Sequence, residues 1–154
     1  MPTTRYAIAL GSNRRGRHGS PEAEIAAALV ALGGVVAVSP VLRTPPLGPS
    51  KRRFANAAAL IESDEEPPAL LARLKRIERA FGRRRGRNWA ARVIDLDIIL
   101  WSEGAWGETG LTVPHAAFRG RDFVLRPLLA VVPEWRDPVS GLSVRQLAAR
   151  LGRR

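Results

Sequence analysis

Apolar and polar positions along this 154-residue chain fall into blocks that predict strands and helices in turn. Residues 5–10 form a short apolar run that reads as a first strand, ending at Gly11-Ser12-Asn13. Ser20 stands where it can cap a helix with Pro21 at its first position. Ile25, Leu29 and Leu32 supply that helix's apolar stripe, and Gly33-Gly34 end it. Residues 35–41 read as a second strand, 43–53 as a loop rich in Pro, Gly and basic residues, and 54–61 as a third strand. Over 67–81, Leu70, Leu74, Ile77 and Phe81 recur at helical spacing; Asp64, Glu65 and Glu66 lie at the positive end and Gly82 is the stop. A basic stretch, 83–92, leads into an apolar, mostly β-branched strand around Asp95-Leu96-Asp97. Residues 118–130 include a short helix, and 143–151 read as a helix capped by Ser143. The order β-α-β-β-α-β predicts an α+β fold, a ferredoxin-like βαββαβ sandwich with C-terminal helical additions, as one domain over residues 1–154.

The two aspartates change that picture from architecture to chemistry. Alternation along a strand puts Asp95 and Asp97 on one side, about 7 Å apart. A buried strand does not hold two carboxylates side by side without a neutralising partner. A hard divalent cation is the natural one, and Mg²⁺ commonly brings substrate phosphates with it. Just upstream, Arg83, Arg84, Arg85, Arg87 and Arg92 surround Trp89. Guanidinium groups beside a carboxylate pair suit a polyphosphate with its metal, because phosphoryl transfer depends on positioning and charge neutralisation. The same stretch also suits a solvated basic loop or a nucleic-acid patch. Neither a Gly-x-x-x-x-Gly-Lys-[Ser/Thr] loop nor a protein-kinase catalytic set is present, so a nucleotide here is bound by another architecture.

A flat heteroaromatic ligand has its own candidates. Phe54 and Asn56 share one strand face, Phe123 can oppose the first ring, and the loop around 44–48 can offer backbone groups. His115, between Pro114 and the basic pair Arg119 and Arg121, suits a phosphate contact, whereas His18 sits in an Arg- and Gly-rich loop and is expected to be solvated. The net charge of +11, almost all of it from Arg, favours polyanionic partners, although a GC-rich coding bias gives the same excess. The absence of cysteine excludes disulfides and thiolate metal sites. No apolar run reaches membrane-spanning length and no signal-peptide pattern opens the chain, so a soluble, cytoplasmic protein without a membrane partner is expected.

Taken together, these blocks resemble the 6-hydroxymethyl-7,8-dihydropterin pyrophosphokinases of folate biosynthesis. The resemblance rests on residues 9–13, on Ser39 with 43–48, on 54–58, on Ile77-Glu78 with Gly82-Arg83, on 92–97, on 113–115 and on 121–128, in that order. It implies transfer of the β,γ-diphosphate of ATP to the pterin's hydroxymethyl oxygen, with release of AMP. By the same resemblance, Asp95 and Asp97 are ligands of two Mg²⁺ ions. Arg83 and Arg92 meet the transferring group and the ATP phosphates, as do His115 and Arg121. Ile98 and Thr112 lie around the adenine, and Trp89 belongs to a loop that closes over the site. Thr44, Pro45 and Leu47 present the pterin-reading backbone, Asn56 reads the pterin edge, and Phe54 and Phe123 stack on it. The partners implied are ATP and the hydroxymethylpterin, with no nucleic acid, and the chain is expected to act as a monomer.

The chain departs from the family pattern at Ala90-Ala91, where Gly-Pro is usual, at Leu42 for Tyr, at Ala116 for Pro or Tyr, and at Asn88, where a basic residue can occur. None of these removes a metal ligand, an expected phosphate-binding arginine or the pterin amide. Two other readings compete: a basic ferredoxin-like nucleic-acid-binding domain, and a family member that binds pterin or nucleotide without turnover. The first lacks the RNP1 signature and leaves the paired aspartates unexplained.

Overall fold

The computed structural model describes residues 2–44, 53–82 and 93–153. In chain order the elements are β1 (Thr4–Ser12), α1 (Pro21–Leu32), β2 (Val35–Val38), β3 (Leu42–Thr44), β4 (Phe54–Ser63), α2 (Pro67–Phe81), β5 (Asp95–Trp101), β6 (Trp106–Glu108), β7 (Leu111–Val113), α3 (Asp122–Val131) and α4 (Val144–Leu151). The main sheet runs β2-β4-β1-β5, with β3 also paired to β4, and its pairings are all antiparallel. This is the split-βαβ order the sequence predicts. The second strand, expected over 35–41, breaks at Ser39-Pro40, and pairing with β4 resumes at Leu42. Proline has no N–H to give a ladder, so the edge is interrupted there. Thr44, expected in a loop, therefore ends β3 opposite Phe54.

Each face of the sheet builds a separate core. On one face Tyr6, Ile8 and Leu10 of β1 pack with Ile25 of α1 and Leu70 and Leu74 of α2. On the other, Ala7, Ala58 and Leu60 pack with Leu125 and Leu128 of α3 and Val144 of α4. The second face is built from smaller residues on β1 and β4. Leu125 and Leu128 of α3 cover it at the Ala7–Leu60 end, while Phe123 at the start of α3 reaches toward Phe54 and Asn56. A register shift between Ala7 and Ile8 leaves Ile99 as the extra residue of β5, since Ala7 faces Leu100 while Ile8 faces Ile98. Ile98 consequently belongs to the first core and Ile99 to the second.

The helix signals behave as expected at the caps. The Ser20 side chain accepts from Ala23 N, and Ser143 forms a capping box with Gln146. The expected helix within 118–130 is a 3-10 turn at Phe118–Gly120 followed by α3. The β6–β7 hairpin was not foreseen. Trp106 meets Trp101 edge-on at 6.0 Å between ring centroids, which seats the hairpin on β5.

The seat of α3 depends on a buried carboxylate. Asp137 is fully buried and accepts from Arg119 Nε at 2.5 Å and Nη2 at 2.8 Å, from Ser140 Oγ and from Val139 N. The Arg119 hydrogen bonds hold its carboxyl well below the usual carboxylate range, against the opposing effect of burial. A depressed folded-state pKa stabilises the fold above the unfolded value near 4, and that stability is lost as pH falls below it. Asp137→Asn is expected to cost about 3 kcal/mol at neutral pH. Urea denaturation of both proteins at pH 7 and pH 3 should show the gap narrowing at the lower pH.

Candidate active site

The open end of the second face is set out by strand register. Gly11 of the central strand faces Asn56 on one side and Asp95 on the other; one step back, Ala9 faces Ala58 and Asp97. Two rows of side chains thus cross three strands, with the smallest residues in the middle. A Cβ at Gly11 would lie 3.2 Å from Asn56 Oδ1, so glycine lets the amide lean over the central strand. A cavity of about 440 Å³ opens above these rows, lined by Gly11, Phe54, Asn56, Asp95, Asp97 and Phe123. That volume suits a small-molecule ligand. A narrow recess of about 40 Å³ continues between Thr44, Phe54, Asn56 and Phe123. Phe54 and Asn56 share one face as their spacing predicts, and α3 brings Phe123 over them. Asn56 Nδ2 is 3.4 Å from Thr44 Oγ1, a long contact that favours leaving Oδ1 as the acceptor toward the cavity. The Arg121 guanidinium lies 5.8 Å from the Phe123 ring centroid and lines the same cavity.

A second cavity, of about 360 Å³, shares Asp97 with the first. Ile98, Thr112 and His115 line it, as do Leu71 and Lys75 of α2. His115 is carried there by the hairpin and by its own backbone, whose N–H donates to Ile99 O at 3.0 Å. Its Nδ1 accepts from Ala117 N at 3.2 Å, so a neutral His115 carries its proton on Nε2. Pro45, Leu47, Arg83, Trp89 and Arg92 lie outside the described residues.

One premise of the sequence reading is corrected. Asp95 is exposed and Asp97 half-buried, so the pair is not sealed within a strand core. β5 is an edge strand of the main sheet. The carboxylates face the cavities, where a ligand can reach them.

The family model described as 7,8-dihydro-6-hydroxymethylpterin-pyrophosphokinase (HPPK) matches residues 7–133. The chain belongs to this family. It is 39% identical over 140 residues to the 2-amino-4-hydroxy-6-hydroxymethyldihydropteridine pyrophosphokinase of Pseudomonas aeruginosa, covering 87% of this chain and 84% of that one. The protein of the same name from Methylorubrum extorquens is 37% identical over 154 residues, 96% and 94% of the two chains. Against the one from Synechocystis the identity is 38%, over 78% of this chain and 62% of that relative's length. Among solved structures, Plasmodium falciparum HPPK-DHPS superposes with a TM-score of 0.74 at 14% identity, covering 97% of this chain and 45% of that one, and so supports the fold.

Three contributors to the site are not legible from the sequence pattern alone. Leu71 and Lys75 fall inside the helix expected over 67–81, with no local signal that sets them apart. Glu78 was quoted only as part of a motif, yet it is buried, and its Oε2 accepts from Leu96 N at 2.8 Å, between the two aspartates. Its Oε1 lies 3.4 Å from Lys75 Nζ. Glu78 falls four residues after Leu74 on the buried stripe of α2, which was the available signal. Glu78→Ala is expected to strand the Leu96 amide and to cost about 2 kcal/mol, whereas Glu78→Gln, which keeps an acceptor, should cost less than half of that. Urea denaturation of the two variants checks the order.

Proposed function

We propose that this chain transfers the β,γ-diphosphate of ATP to the hydroxymethyl oxygen of 6-hydroxymethyl-7,8-dihydropterin, releasing AMP, in folate biosynthesis. The observation that carries the reading is that two ligand-sized cavities meet at Asp97. One has the aromatic and amide lining a pterin needs; the other runs past Ile98, Thr112 and His115 and suits a nucleotide. The pterin hydroxyl oxygen attacks the β-phosphorus and gives up its proton to water, the bond from that phosphorus to the oxygen of the α-phosphate breaks, and AMP leaves with that oxygen.

The described residues act chiefly by positioning. Phe54 and Phe123 flank the ring, and Asn56 Oδ1 accepts from its N–H edge. Ile98 and Thr112 border the adenine side, while His115 and Arg121 meet phosphates. Arg83 and Arg92 as contacts to the transferring group, Trp89 closing over the site, and Pro45 and Leu47 reading the pterin rest on the family resemblance. Two Mg²⁺ ions fit the donor set, because Asp97 offers hard carboxylate oxygens where the cavities meet and Asp95 offers them in the first cavity. Among the described residues no group of three or more His, Asp or Glu could hold a metal, so phosphate and water would supply the remaining ligands. When bound, the metal supplies charge neutralisation on the phosphates. A single domain, a monomer and a cytoplasmic setting belong to the same reading; among the described residues no helix is long and apolar enough to cross a membrane.

AMP release from ATP with Mg²⁺ tests the reaction: it is expected only when the hydroxymethylpterin is present, and chelation should abolish it. Salt-sensitive RNA binding without AMP release would instead favour a nucleic-acid module. Asp97→Ala should lower turnover at least roughly a hundredfold. Asn56→Ala should weaken pterin binding about tenfold and leave ATP binding within a factor of about two. Equal loss of both ligands by calorimetry would refute the assignment of Asn56.

A further inference from the structure

The turn between β1 and α1, residues 13–19, has no part in either cavity, yet it holds a fully buried carboxylate. Glu24, in the first turn of α1, is 0% exposed. Its Oε1 accepts from His18 N at 2.9 Å and its Oε2 lies 2.7 Å from His18 Nδ1. His18 is exposed, as expected, but it is also paired. The turn is closed on itself by reciprocal backbone bonds between Gly16 and Gly19, at 3.0 and 3.1 Å. Burying a charged group costs stability unless it is paired and hydrogen-bonded, and here one turn supplies the partners.

What this turn touches gives the pair a purpose. The His18 ring lies 4.6 Å from that of Phe81, the last residue of α2 and the second before Arg83. Ser12 Oγ donates to Val93 O at 2.6 Å, and Val93 directly follows Arg92. A Cβ at Gly16 would come within 2.6 Å of Val93 Cγ1 and 2.2 Å of Glu24 Oε1, so glycine permits the close seat. The residues flanking 83–92 on both sides therefore rest on one small platform, fastened to α1 through Glu24.

We propose that the His18–Glu24 pair is a positioning device for phosphoryl transfer. It fixes the points from which Arg83 and Arg92 depart, and His18 and Glu24 act through those arginines without touching substrate. This rests on the proposed reaction, in which the two arginines meet the phosphates. A misplacement of about 1 Å far from the chemistry can cost a hundredfold in rate.

The test uses His18→Ala and His18→Asn in the full chain. The asparagine amide can still donate to Glu24, whereas alanine leaves the carboxylate only the backbone N–H. His18→Ala is expected to lower kcat roughly tenfold while the pterin KM stays within about twofold, because the pterin cavity is built on β1, β4, β5 and α3. His18→Asn should recover most of the loss. Backbone amide exchange at Gly82 and Val93 should quicken in His18→Ala and return toward wild type in His18→Asn. A lowered melting temperature with unchanged kcat and exchange would overturn the proposal, as would a parallel rise in pterin KM or no recovery in His18→Asn. Wild-type protein that releases no AMP would overturn the reaction itself. Exchange would then still judge the platform: quickening in His18→Ala supports it, and no change refutes it.

Discussion

The structure depends on the two-sidedness of its central strand. β1 is paired on both edges, so its side chains have only the two sheet faces to occupy. Toward α1 and α2 it sends Tyr6, Ile8 and Leu10, which lock two helices down. Toward α3 it sends Ala7, Ala9 and Gly11, which shrink in the direction of the cleft. Large residues there would pull α3 onto the whole face or fill the space where Asn56 leans over. The ligand space exists because the central strand withholds side chains from it.

Charge follows the same division. Glu24, Glu78 and Asp137 are all essentially buried, and each receives hydrogen bonds from neighbouring backbone or side chains. Each ties two segments together: the 13–19 turn to α1, α2 to β5, and the turn before α3 to the loop before α4. Removing one partner from such a group costs more than the pair contributes, because the survivor cannot be resolvated. Asp95 and Asp97 sit at the start of an edge strand instead, the first exposed and the second half-buried.

Much of this could be read before any coordinates. Local rules sufficed for α2, whose observed limits are those expected, and for the serine caps of α1 and α4. Period-two alternation sufficed for Phe54 with Asn56 and for the aspartate pair. What could not be read depends on partners distant in sequence. β3 resumes only because β4 continues past the break at Pro40 and offers it a ladder. The β6–β7 hairpin has strands of three residues, too short for a periodic signal, and is held by Trp106 on Trp101. Glu24 and Glu78 were partly legible. Glu24, Ala28 and Leu32 share one helical line, as do Leu74 and Glu78, but a carboxylate on an apolar stripe does not name its partner.

The exposure of the aspartates removes one argument for a metal and leaves a stronger one. Burial is not what makes two carboxylates demand a cation. At about 7 Å and an effective dielectric near 20, a pair of like charges costs roughly 2 kcal/mol. Alone in solvent that is tolerable, and an edge strand can carry it. A polyphosphate arriving in the adjoining cavity adds several negative charges at similar range. The same arithmetic then reaches several kcal/mol, more than a single exposed cation recovers. Asp97 borders both cavities, so a ligand in either one meets it. A divalent ion held by the two carboxylates would add attractive terms that offset these repulsions.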